Sequence, residues 1–444
     1  MLSTRQMALS DRQMNGLFPE DRAVHRWYRF VLAFPPHLVR EYIARFQLDG
    51  SRQVLDPFCG TGTTLVECKK LGVPSIGVEA NPVVSFASRV KTDWDPDPDG
   101  LLGHAKQVAS HAYGLLKDDG IEDIPLALHA WKGLSVLRAL PPEKTKLLLA
   151  NSISPLPLHK TLVLLDSLGR LYDARYYAHE RLALANVVVH SASNLHFGPE
   201  VGVGTIKADE AVVDPWLAEM RAMVCDLREV GRSGPAPARV YPVDARELVR
   251  VLEPGSVDAV ITSPPYPNEK DYTRTTRLES VLLGFIESRS DLQALKRSLV
   301  RSNTRGVYVD DEDDQWVAHF PRIQQLARDI ESRRIELGKT SGFERLYARV
   351  TRLYFGGMAR HFSELRRILR PGAQLAYVVG DQASYLRVLI RTSEILAEVA
   401  ESLGYKVTGT DLFRTRFATA TQQHIREDVL LLRWPGGRGD SSSE

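Results

Sequence analysis

The chain has 444 residues, 43% of them apolar, enough to bury the core of one large domain with insertions or of two or three domains. Lys and Arg number 57 against 55 Asp and Glu, so the net charge of +2 neither demands nor excludes nucleic acid, which would need basic residues gathered on one face. Three cysteines (Cys59, Cys68, Cys225), no apolar run of about 18 residues and a polar start argue against a disulfide framework, a membrane span and a signal peptide; a cytoplasmic protein is expected.

Residues 1–22 read as a flexible leader. Phe34 and Pro35 precede a predicted helix in which Leu38, Tyr42, Ile43 and Phe46 share one face and Arg40, Glu41 and Arg45 the other. Gln53 to Asp56 is a short apolar strand that runs into Asp56-Pro-Phe-Cys-Gly-Thr-Gly-Thr-Thr64. A helix follows from Thr63 to Leu71, ended by Gly72 and Pro74, and Ser75 to Glu79 is a second strand. Strand, glycine turn, helix, strand is the unit of a doubly wound, mostly parallel α/β sheet. Asp93 to Gly100 is rich in Pro and Asp and marks a boundary. From 96 to 237 the pattern is mainly helical, as in Leu101–Leu116, Lys160–Leu168 and Trp216–Val230, and reads as an insertion closed by the Gly231–Pro237 linker. Strands resume at Val240–Val243, before Asp244, and at Val257–Thr262, before Ser-Pro-Pro-Tyr266. Residues at about 278–350 are polar and form a smaller insertion, whose acidic run Asp310–Asp314 is expected to be an exposed loop. Tyr354–Leu369 is an amphipathic helix, Gln374–Val379, Lys406–Leu412 and Val429–Leu432 are strands, and Ser393–Ser402 is a helix. The tail at 436–444 reads as disordered.

Glycines at 60 and 62 after a strand let a ligand approach the backbone closely. Glu79 ends the next strand, where an acid can grip a ribose diol. Position 65 is Leu, so the dinucleotide Gly-x-Gly-x-x-Gly is absent, and no Lys follows the glycines to make a phosphate-cradling loop. A nucleoside without a pyrophosphate fits better.

Asp56-Pro-Phe-Cys-Gly-Thr-Gly-Thr-Thr64 with Gly77-Val-Glu-Ala-Asn-Pro82 resembles the S-adenosyl-L-methionine site of amino-directed DNA methyltransferases. Thr262-Ser-Pro-Pro-Tyr266 resembles the catalytic motif of those that modify the N4 amine of cytosine. The resemblance covers about 25–90, 238–275 and 354–432. It implies a class I S-adenosylmethionine-dependent methyltransferase fold, with a cofactor-binding half at 23–95 and a catalytic half at 238–435. It further implies cofactor contacts from Phe34, Pro35, Asp56, Pro57, Phe58, Gly60, Gly62, Thr63, Thr64, Glu79, Ala80 and Asn81. Asp244, followed by Ala245, matches the acid set against the adenine amine.

An exocyclic amine can attack a sulfonium methyl in line, with no covalent intermediate, but its lone pair is conjugated with the ring. Ser263 Oγ and the Pro264 carbonyl can accept its two hydrogens and draw the nitrogen toward tetrahedral geometry, and the rigid Pro264-Pro265 pair limits reorganisation. Tyr266 offers a face for a flipped base to stack on. No cysteine follows a proline, which argues against cytosine C5 chemistry, and no paired Cys/His spacing suggests a metal.

Arg274, Arg277, Arg297, Arg301 and Arg305 are candidate contacts to DNA phosphates. The expected activity is thus site-specific methylation of cytosine N4 in double-stranded DNA, within a restriction-modification or defence system and beside a separately encoded endonuclease. Adenine N6 as the target, an RNA amine, or a non-catalytic nucleic-acid-binding subunit are the alternatives. Either insertion could recognise the target, and the oligomeric state is open.

Overall fold

The computed structural model describes residues 17–28, 34–124, 137–198, 200–231, 236–418 and 423–436. Most of the expected leader, part of the 231–237 linker and the tail from 437 lie outside the described residues. Seven strands form the main sheet: β1 (Val54–Asp56), β2 (Ser75–Val78), β5 (Ala238–Tyr241), β6 (Val257–Thr262), β7 (Leu369–Gly380), β8 (Lys406–Ala418) and β9 (Gln423–Arg433). A separate hairpin pairs β3 (Leu195–Phe197) with β4 (Val201–Val203). The main order is β5-β2-β1-β6-β7-β9-β8, parallel throughout except that β9 runs antiparallel to both neighbours. This is the doubly wound class read from the sequence.

Parallel strands buried on both faces need two apolar layers, and successive residues supply them. Val54, Ala259 and Ile261 face α1 (Pro36–Arg45) through its Leu38, Val39, Tyr42 and Ile43. Leu55 and Val260 face α11 (Tyr347–Ile368) and α12 (Thr392–Ser402), through Phe355, Met358, Phe362 and Leu396. Proline opens α1 and also α3 (Pro82–Lys91), α4 (Pro98–Asp118) and α5 (Pro155–Arg170), where its lost N–H would have had no helical partner. The glycine turn leads into α2 (Thr63–Lys70), which Gly72 follows at φ +74°.

The inserted helices α4, α5, α6 (Tyr177–Val187) and α7 (Val213–Val230) share one apolar core with Trp27, Phe86 and Leu282 from outside the insertion. The insertion is therefore continuous with the first half. Its attachment includes Asp226 of α7, which accepts hydrogen bonds from Val24 N, Arg26 and Trp27 Nε1. The end of the expected leader is likewise tied down: Asp21 is buried and pairs with Arg40 at 2.7 Å.

The acidic run corrects the expectation of an exposed loop only in part, since Asp310 and Glu312 are exposed. Asp311 pairs with Arg301 at 2.7 Å and Asp313 with Arg246 at 2.5 Å, and Asp313 is buried. Gly356 of α11 makes the seat, since a Cβ there would stand 1.8 Å from the Asp313 carbonyl oxygen. β8 and β9 are also longer than the apolar runs predicted. Their outer parts carry Arg414, Arg416, Arg426 and Glu427, whose pairing is antiparallel backbone rather than apolar burial. Among the described residues no helix is long and apolar enough to cross a membrane.

Candidate active site

β1 and β6 are adjacent parallel strands, with Val54 opposite Ala259 and Leu55 opposite Val260. The chain leaves both at the same edge of the sheet, once into the glycine turn and once into Ser263-Pro-Pro-Tyr266. Asp56 knits the two exits together. Its buried carboxylate accepts from Thr262 Oγ1 at 2.6 Å, Thr64 Oγ1 at 2.7 Å and Phe58 N at 3.1 Å. Burial pushes its pKa up to about 6 against these hydrogen bonds.

The turn needs its second glycine on two counts. Gly62 sits at φ +84°, and a Cβ there would lie 2.5 Å from Ser88 Oγ. Cys59 and Cys68 are buried, which raises both thiols and leaves them protonated packing residues.

A cavity of about 690 Å³ opens over these strand ends. Its wall contains Phe34, Pro57, Phe58, Gly60, Thr63, Glu79, Ala80, Asn81, Asp244 and Ala245, together with Ser263, Pro264, Pro265 and Tyr266. Pro35, Asp56, Gly62 and Thr64 lie off the wall. For Asp56, Gly62 and Thr64 the contacts above give a supporting place behind the turn.

Glu79 accepts from Gly60 N at 3.1 Å on one carboxylate oxygen and from Asn81 N at 2.8 Å on the other. Each oxygen keeps a second lone pair. Burial raises its pKa to about 7. On the same wall, Thr61 Oγ1 and Asn81 Oδ1 are buried with no partner among the described residues. A polar ligand with hydroxyl and amine groups suits this lining.

Asp244 is clamped by Arg246, 2.6 Å away, which also reaches Asp313 and the Arg297 carbonyl. Phe58 stands edge-on to His361, with ring centroids 4.8 Å apart. Burial lowers the His361 pKa to about 4, so the ring is neutral. Its Nδ1 then donates to the Ala245 carbonyl at 2.8 Å, and its Nε2 accepts from Tyr377 Oη at 2.7 Å.

At the second motif, Ser263 Oγ donates to the Val378 carbonyl at 3.2 Å and lies 3.4 Å from Tyr266 Oη. Tyr266 Oη donates to Glu427 Oε1 at 2.8 Å, and Arg414 pairs with the same carboxylate. Gly380 makes room for the ring, since a Cβ there would stand 3.1 Å from Tyr266 Cε2.

A profile of the DNA methylase family matches residues 13–85, the stretch that contains the glycine turn and Glu79. The type II methyltransferase M.BsoBI of Geobacillus stearothermophilus is 25% identical over 93% of this chain and 85% of its own length. The type II methyltransferase M.AvaI of Nostoc sp. is 22% identical over 95% of this chain and 82% of its own length. Along nearly its whole length the chain is thus similar to type II DNA methyltransferases.

The arginines of this chain divide by environment. Arg305 is on the cavity wall and pairs with Glu200 at 3.3 Å. Arg301 is buried against Asp311, and Arg277 donates to the Leu147 carbonyl and to Thr273. Arg297 reaches Asp310 at 2.8 Å, and Arg274 donates to the Val201 carbonyl of β4. Internal acidic partners explain the difference: Arg297 and Arg301 pair with Asp310 and Asp311 within the fold. Sequence reasoning missed Lys270, Phe413, Arg416 and Glu427, all on the wall. Three of them come from β8 and β9, and a polar alternation in an antiparallel hairpin was the only signal available.

Proposed function

We propose that this methyltransferase transfers a methyl group from S-adenosyl-L-methionine to the N4 amine of a cytosine flipped out of double-stranded DNA. The observation that carries the reading is one cavity whose wall holds both the Glu79–Asn81 segment and Ser263–Tyr266. When bound, the cofactor supplies an electrophilic methyl on a sulfonium. In this reading the Glu79 carboxylate holds the ribose hydroxyls, Asp244 faces the adenine amine, and Phe34, Phe58 and the glycine turn pack the methionine part. Pro57, Gly60, Thr63, Ala80 and Ala245 shape the remaining wall.

Ser263 Oγ and the Pro264 carbonyl would accept the two amine hydrogens and orient the nitrogen lone pair. Pro265 stiffens that carbonyl, and Tyr266 stacks on the base. Ser263, rather than an acid, in the first motif position supports cytosine over adenine. Arg305, Lys270 and Arg416 on the wall supply positive charge for phosphates beside the flipped nucleotide. The type II relatives support a place in a restriction-modification system; an endonuclease encoded separately completes that proposal.

The test is nucleoside analysis of DNA from a methylation-free host that expresses the protein. N4-methylcytosine is the expected product. N6-methyladenine without methylcytosine would overturn the base assignment, and modified RNA alone would overturn DNA as the target.

A further inference from the structure

Methylation leaves the amine nitrogen with one positive charge and one proton too many. Ser263 Oγ, the group suited to accept an amine hydrogen, can pass a proton only along a hydrogen-bonded path. The structure contains one. Ser263 Oγ lies 3.4 Å from Tyr266 Oη, and Tyr266 Oη lies 2.8 Å from Glu427 Oε1. Glu427 sits in the first half of the antiparallel strand β9, on the wall of the same cavity, with Arg414 of β8 paired to it. That position places a carboxylate two hydroxyls from the reacting nitrogen, although neither motif contains an acid at the amine. Glu427 divides its two oxygens: Oε2 takes Arg414, and Oε1 faces the motif tyrosine, so one oxygen of the pair is turned to the reacting side.

We propose that Glu427 is a positioning residue and the terminal proton acceptor of the transfer, acting through Tyr266 and Ser263. The proposal rests on the amine-methylation reading above. The proton balance is closed. The N–H bond of the methylated amine breaks and its electron pair returns to nitrogen, which becomes neutral. Ser263 Oγ gains that proton while its own hydrogen turns from the Val378 carbonyl to Tyr266 Oη and passes there, Tyr266 yields its own to Glu427, and the carboxylate becomes a carboxylic acid. The cavity opening then returns the proton to solvent.

The experiment uses the full-length protein and duplex DNA from the methylation-free host, whose modified sites are first mapped on the wild type. Single-turnover rate, cofactor affinity by calorimetry and DNA affinity are then measured for the wild type, Glu427→Gln, Glu427→Asp and Tyr266→Phe. Glutamine keeps an acceptor for the Tyr266 hydroxyl and loses the proton site. Tyr266→Phe keeps the stacking ring and the Arg414–Glu427 pair while it cuts the path. The expected result is a rate loss of about tenfold or more in Glu427→Gln and in Tyr266→Phe, within the range of general acid–base contributions. Both ligand affinities should stay within about twofold, Glu427→Asp should recover part of the rate, and the two losses should not multiply in the double variant. A Glu427→Gln rate equal to wild type, or a loss that follows ligand affinity, would overturn the proposal and leave the methylation reading intact. A wild type that modifies no amine would overturn both.

Discussion

Glu79 offers the sharpest quantitative test of the cofactor side of the cavity. Its two oxygens each accept one backbone N–H, from Gly60 and Asn81, and each retains a second lone pair on a residue of the cavity wall. Two ribose hydroxyls donating to a carboxylate are worth roughly 1.5–3 kcal/mol each, so Glu79→Gln, which keeps one good acceptor oxygen, should cost about 2–3 kcal/mol. That is a weakening of the dissociation constant for S-adenosylmethionine by about 30- to 150-fold. The raised pKa of about 7 adds a signature. The charged form dominates above pH 7, so at pH 6 only about one carboxyl in eleven is ionised, and affinity should fall about tenfold between pH 8 and pH 6. The cofactor's own amino group titrates nearby, so the slope that matters is the difference between wild type and Glu79→Gln. Calorimetric titration at pH 6, 7 and 8 measures both. Equal pH slopes in the two proteins, or a change under threefold on substitution, would refute the role given to Glu79.

Other expectations concern how the two motifs are held. Asp56→Ala leaves the Thr64 and Thr262 hydroxyls and the Phe58 N–H without their carboxylate. A loss of about 3 kcal/mol is expected; at about 2.1 cal/mol/K per residue of unfolding entropy this lowers Tm by about 3 °C for a chain this long, and an unchanged Tm would contradict the assignment. Gly356→Ala should gain about 1 kcal/mol of helix propensity and still destabilise, because the new Cβ meets the Asp313 carbonyl at 1.8 Å. Thermal melting decides the sign, and hydrogen exchange should report loosening at 310–314 and around Arg246. A rise in Tm would show that the acidic segment does not need that seat.

The parts of the fold legible in the sequence are those that the local pattern dictates. Short apolar runs ending in Asp56 and Thr262, glycines at 60 and 62 and the prolines before α1 and α3 specify the parallel core and its exits. Residues of the predicted site that are near each other in sequence and follow a strand could be placed by that argument. What escaped it depends on tertiary pairing. Arg301 looks like a phosphate contact until Asp311 is seen against it, and the acidic run looks solvated until Arg246 and Gly356 are seen beneath it. Glu427 lies in a charged stretch before the apolar end of β9, and only the antiparallel register brings it across to Tyr266. The helical insertion reads as a separate unit because its boundaries are Pro- and Gly-rich, yet Trp27, Phe86 and Leu282 complete its core.

The central claim is that Ser263-Pro-Pro-Tyr266 directs a methyl to cytosine N4. It is tested most directly with purified protein, duplex DNA carrying the sites modified in the host, and methyl-labelled S-adenosylmethionine, followed by digestion to nucleosides. The account requires the label in N4-methylcytosine for the wild type. For Ser263→Ala it requires at least a hundredfold slower labelling with cofactor affinity preserved. Label in N6-methyladenine, or a Ser263→Ala variant that labels cytosine at the wild-type rate, would contradict it.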